Sequence, residues 1–134
     1  MDEENKIDML NYWIEQIVLY FREIGFEVYP LPEIILDNTP NRDDDLFIKT
    51  GYFNPSDNTL VLFIDNRHIK DILRTFCHEM VHRNQYLVDP EGFMDAASDK
   101  PLEQAPELED IEGEAYLYGN LLFRKFTERY THKN

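Results

Sequence analysis

His78 and His82 stand four residues apart in the run His78-Glu79-Met80-Val81-His82, inside a stretch whose apolar spacing is helical. At about 100° per residue the two imidazoles fall about 40° apart on one helical face, so both can reach a single metal ion. Glu79 flanks that position, where a carboxylate can take a proton from a water on the metal. The pattern constrains the fold strongly: this helix must border a cleft, and a further ligand must arrive from elsewhere in the chain. One zinc ion is the expected cofactor, with His78 and His82 as ligands and Glu79 as the catalytic residue.

A length of 134 residues, 43% hydrophobic and 13% aromatic, fits one globular domain spanning residues 1–134. Cys77 is the single cysteine, which excludes an intramolecular disulfide and a four-cysteine metal site. It directly precedes His78, and a buried small hydrophobe is the expected role for it. With 27 acidic against 13 basic residues the net charge is −14, a surface that repels phosphate backbones and argues against nucleic acid as a partner. Such a charge keeps a protein soluble and favours neutral or basic polypeptides. The longest apolar run, Leu60 to Ile64, is strand-sized, so no membrane association is expected. The opening Met1-Asp2-Glu3-Glu4-Asn5-Lys6 is acidic and unlike a secretory signal, which points to the cytoplasm.

Helical spacing of Ile7, Leu10, Ile14, Ile17, Phe21 and Ile24 predicts a first helix over 5–24, ended by Gly25. Short strands are expected at Phe26–Tyr29 and Glu33–Asp37, and a loop over 38–45. The acidic run Asp43 to Asp45 lacks the alternating ligands of a calcium loop and reads as a solvated turn. Leu46–Phe53 and Thr59–Asp65 read as a hairpin. Asp65 is then the expected N-cap of the histidine helix, over Arg67–Leu87. Val88 to Leu108 reads as a long loop, either a lid or a plain connection. A last helix runs from Leu108 or Asp110 to Tyr130.

Two histidines leave a metal site incomplete. His132, near the end of the chain, is too remote to complete it, so the natural third ligand is a carboxylate on the last helix. Glu112 and Glu114 are the candidates. Glu112 is favoured because it shares a helical line with Ala115 and Gly119, small residues that permit a close approach to the histidine helix. Glu114 points further round and stands as the alternative.

The two motifs together, His78-Glu79-Met80-Val81-His82 and, thirty residues after His82, Glu112-Gly113-Glu114-Ala115-Tyr116-Leu117-Tyr118-Gly119, resemble the gluzincin metallopeptidases. Within them the nearest likeness is to the compact ImmA/IrrE-type zincins. The resemblance implies an α+β, minimal zincin-like fold: an N-terminal helix, a small mostly antiparallel sheet, the zinc helix and a C-terminal ligand helix. It implies Glu112 as third metal ligand, since Ala115 supplies the small residue at i+3. Tyr116 stands at i+4, where Asp or Asn commonly orients a zinc histidine. The implied activity is zinc-dependent hydrolysis of peptide bonds in a specific protein or peptide substrate, with Glu79 as general base; the alternative is a non-catalytic zincin-fold protein-interaction module. Thr59–Asp65 is expected by the same likeness to edge the cleft. Tyr86, Arg83, Tyr116 and Tyr118 are candidate oxyanion donors that spacing alone does not separate.

Overall fold

Asp2 starts the first helix, α1 (Glu3–Glu23), by accepting a hydrogen bond from the Asn5 amide at 2.8 Å. Glu3 and Glu4 occupy the first turn, where carboxylates complement the helix dipole. The helix closes at Gly25, whose φ of +83° is left-handed. The Phe26 amide then donates to the Phe21 carbonyl at 2.8 Å and the Gly25 amide to the Arg22 carbonyl at 3.3 Å, so two terminal carbonyls gain partners. The structure is a computed structural model and describes residues 2–40, 50–96 and 106–132. The Asp43–Asp45 turn, the first part of the strand expected from Leu46 and residues 97–105 lie outside the described residues.

Three strands, β1 (Glu33–Asp37), β2 (Gly51–Asn54) and β3 (Thr59–Phe63), form one sheet in the order β1-β3-β2. β2 and β3 are a hairpin, antiparallel with Gly51 opposite Leu62 and Asn54 opposite Thr59. Asn54 Oδ1 accepts from the Ser56 amide at 3.1 Å and Asn58 takes the left-handed φ of +54° that the turn requires. β1 lies on the far side of β3 and runs parallel to it, with Glu33 opposite Thr59. The sheet is therefore mixed rather than mostly antiparallel, because the chain passes from β1 across to β2 before the hairpin reverses it. β3 is the central strand, and its buried run Leu60, Val61 and Leu62 suits a strand flanked on both sides. The expectation that Thr59–Asp65 edges the cleft is corrected: both edges of β3 are paired, and among the described residues β2 is the edge strand that borders it.

The second helix, α2 (Ile69–Val88), is the hub, packing against α1, β2, β3 and both later helices. Its N-cap is His68, whose Nδ1 accepts from the Lys70 amide at 3.1 Å. Asp65 does not cap it because Asn66 adopts φ +56°, a conformation that delays the helix. Ile72, Leu73, Phe76, Met80 and Val81 join α1 residues such as Ile17 and Phe21 in one core. Phe21 stacks on Phe76 with ring centres 6.4 Å apart. Cys77 is fully buried, as expected of a small hydrophobe.

Phe26–Tyr29 does not form a strand. Instead Arg83, fully buried on α2, donates to the carbonyls of Glu27 at 3.0 Å and Pro30 at 2.7 Å, so this segment is bound to a side chain rather than to a neighbouring strand. The region read as a loop contains α3 (Pro90–Ala96), followed by α4 (Pro106–His132), which starts earlier than expected. Within the described residues the architecture is α+β, four helices around a small three-stranded mixed sheet. Among the same residues no helix is long and apolar enough to cross a membrane.

Candidate metal centre

α2 holds His78, Glu79 and His82 along one side, and α4 crosses directly over it. The approach is close because Ala115 is fully buried and Gly119 has no side chain. A Cβ on Gly119 would lie 2.9 Å from the His78 Cα and 3.1 Å from its nitrogen, closer than a real side chain tolerates. The line Glu112, Ala115, Gly119 is thus the contact line of the helix, and it carries Glu112 to the histidines.

Glu112 Oε1 lies 2.8 Å from Nε2 of His82, and its Oε2 lies 3.5 Å from Nε2 of His78. Glu79 Oε2 is 3.9 Å from His78 Nε2. The potential ligand atoms of His78, Glu79 and His82 lie within 4.8 Å of one another, so this cluster could hold a metal ion. Donors around a tetrahedral ion with bonds of about 2.0–2.1 Å stand about 3.3–3.4 Å apart. The 3.5 Å separation is close to that value; the 2.8 Å contact is a direct hydrogen bond. Imidazole nitrogen with carboxylate oxygen is a donor set suited to zinc, and the only thiol is sealed in the core.

The two carboxylates differ in their surroundings. Hydrogen bonds from the His78 and His82 rings hold Glu112 at a pKa of about 2, so it stays ionised. Burial pushes Glu79 above the usual carboxylate range, against the opposing charges of His82 and His78. The backbone amide of Phe53, on β2, also bonds to Glu79. Burial works against a charged His82, yet its hydrogen bond to Glu112, the charge of Glu79 and its bond to Gln85 outweigh this and raise its pKa.

Glu114, the alternative ligand, is exposed and turned away from the histidines. It accepts from Gln85 Nε2 at 3.0 Å. Gln85 Nε2 also donates to the Ile111 carbonyl at 3.0 Å, and its Oε1 lies 2.8 Å from Nδ1 of His82. His132 is on the same helix as Glu112 but twenty residues further along, about 30 Å away at 1.5 Å per residue.

The histidines and both carboxylates line an open cleft of about 730 Å³, with Gly51 and Phe53 of β2 on one side and Tyr116 of α4 on the other. Of the four residues considered as oxyanion donors, Tyr116 alone lines it; its ring centre is 4.5 Å from that of His78. Arg83 faces the 27–30 segment, Tyr118 packs on Phe26, and Tyr86 packs on Phe53 and Phe93. Sequence reasoning missed Phe93, which α3 sets 5.8 Å from the His82 ring. The signal was present in Asp89-Pro90-Glu91. Asp89 Oδ1 accepts from the Gly92 amide at 3.1 Å, and proline favours the first helical position.

Compared with models of protein families, with curated proteins and with solved structures, the chain matches none.

Proposed function

We propose that this chain is a zinc-dependent metallopeptidase with a zincin-like fold, hydrolysing peptide bonds of a protein or peptide substrate. The observation that carries this reading is the different placement of two carboxylates beside two histidines. Glu112 meets both Nε2 atoms within 3.5 Å, as a third ligand should, whereas Glu79 stands further back, 3.9 Å from His78 Nε2 and within 4.8 Å of the His82 ligand nitrogen, and is held by the Phe53 amide. His78, His82 and Glu112 are thus the proposed ligands, and Glu79 is the proposed base. When bound, zinc supplies a Lewis acid that acidifies water and polarises a carbonyl oxygen.

The remaining chemistry belongs to the chain. Burial raises the Glu79 pKa above the usual carboxylate range, which suits a group that must first accept a proton from water and then return it to the leaving amine. β2 borders the cleft with the edge that β3 does not use, where an extended substrate backbone can pair. Tyr116, exposed over His78, is the candidate donor to the developing oxyanion.

The test is to incubate zinc-loaded protein with a diverse peptide library and follow cleavage by mass spectrometry. Wild type should cut a subset of peptides, and Glu79→Gln should retain zinc while cutting at least about 100-fold more slowly. Zinc-loaded wild type that cannot be distinguished from Glu79→Gln would favour the non-catalytic protein-interaction module.

A further inference from the structure

Gln85 is half-buried between the histidine helix and the ligand helix, and its amide has three polar neighbours. The Ile111 carbonyl is 3.0 Å from Nε2, Glu114 Oε1 is 3.0 Å from Nε2, and His82 Nδ1 is 2.8 Å from Oε1. A carbonyl and a carboxylate only accept hydrogen bonds. Rotating the amide by half a turn would set its oxygen against both of them, so the orientation is determined by the neighbours. The amide oxygen must therefore face His82, and the His82 Nδ1 must carry the hydrogen between them.

We propose that Gln85, anchored by Glu114 and the Ile111 carbonyl, is a positioning residue that locks the ring orientation of His82 and holds one hydrogen on Nδ1, aiming Nε2, which donates to Glu112 in the zinc-free protein, at Glu112 and the cleft. This gives Glu114 a role distinct from ligation: it holds the residue that holds the ligand. The device also joins the two helices at the site. Gln85 and His82 are on α2, whereas Ile111 and Glu114 flank Glu112 on α4, so the clamp sets His82 and Glu112 in one frame. The affinity part of the claim rests on the metal reading above; the proton on Nδ1 does not.

The experiment compares wild type, Gln85→Met, Glu114→Ala and Glu114→Gln. Each is titrated with zinc in competition with a chromophoric chelator, and the His82 ring is followed by long-range proton–nitrogen NMR in zinc-free and zinc-loaded protein. In wild type the Nδ1 hydrogen should be visible and protected from exchange. Gln85→Met should lose that protection and bind one zinc 10- to 100-fold more weakly, the range typical for partners of a metal histidine. Glu114→Ala, at an exposed position that should not endanger folding, should move both readouts the same way by less. Glu114→Gln keeps an acceptor oxygen and should remain close to wild type. Unchanged zinc affinity, or an unchanged Nδ1 signal, in Gln85→Met would overturn the clamp. If wild type itself takes up no zinc, the metal reading fails, while the Nδ1 signal of the zinc-free protein still decides the clamp.

Discussion

Glu112 Oε1 lies 2.8 Å from Nε2 of His82, thirty residues away in the chain and on a different helix. The same carboxylate reaches His78 through its other oxygen. If Glu112 is the third ligand, Glu112→Ala should weaken zinc binding by more than about 100-fold, beyond the loss expected for an outer partner. Equal losses in Glu112→Ala and Glu114→Ala, measured by chelator competition, would contradict the assignment.

The pH response of the zinc-free protein follows from the same pair. His82 has its folded pKa raised above 6.5, so its stabilising contribution is complete below that pH and is lost as pH rises through the folded value. Glu112 is lowered from 4.5 to about 2, so its contribution is complete above pH 4.5 and is lost as pH falls toward 2. Together they stabilise the zinc-free fold most between about pH 4.5 and 6.5. Zinc binding has the opposite slope, since the imidazoles must release protons to ligate. Thermal unfolding across pH 4 to 9, with and without zinc, should show the metal's added stability growing with pH. A metal increment that shrinks as pH rises would be inconsistent with histidine ligation.

At Gly119 the backbone of α4 comes into close contact with that of His78 on α2. Gly119→Ala should push α4 away from His78, destabilise the fold by about 1–3 kcal/mol and weaken zinc binding as well. Urea unfolding measures the first effect and chelator competition the second. A variant as stable as wild type would mean that the helices are not in this close contact.

Arg83 serves the fold and not the cleft. Arg83→Met takes the donor from the part-buried Glu27 carbonyl and leaves the Pro30 carbonyl only its bond from Asn58, which should cost about 1–3 kcal/mol in urea unfolding. Zinc stoichiometry should not change. Loss of zinc from a variant that still folds would place Arg83 in the site after all.

The histidine helix, both strands of the hairpin and the approach of Glu112 were legible because they rest on local periodicity and on a stripe of small residues. Other features were not, and for several of them the physical reason is plain. The parallel pairing of β1 with β3 depends on where the chain crosses the sheet, which alternation within a strand does not encode. Phe26–Tyr29 has a strand's composition, but its Glu27 carbonyl and that of the following Pro30 are taken by Arg83 more than fifty residues later. The orientation of His82 is supplied by Gln85, whose amide is set by a carbonyl on another helix. Tyr116, which stands where a polar orienting residue was expected, instead lies over His78 at the cleft.

The central claim is that His78, His82 and Glu112 form one zinc site. Elemental analysis of protein purified without chelators, followed by zinc titration of the stripped protein, tests it most directly. The account predicts one zinc per chain, regained after stripping and lost in His78→Ala, His82→Ala and Glu112→Ala but kept in Glu79→Gln. Wild-type protein that carries no zinc and takes none up would contradict it.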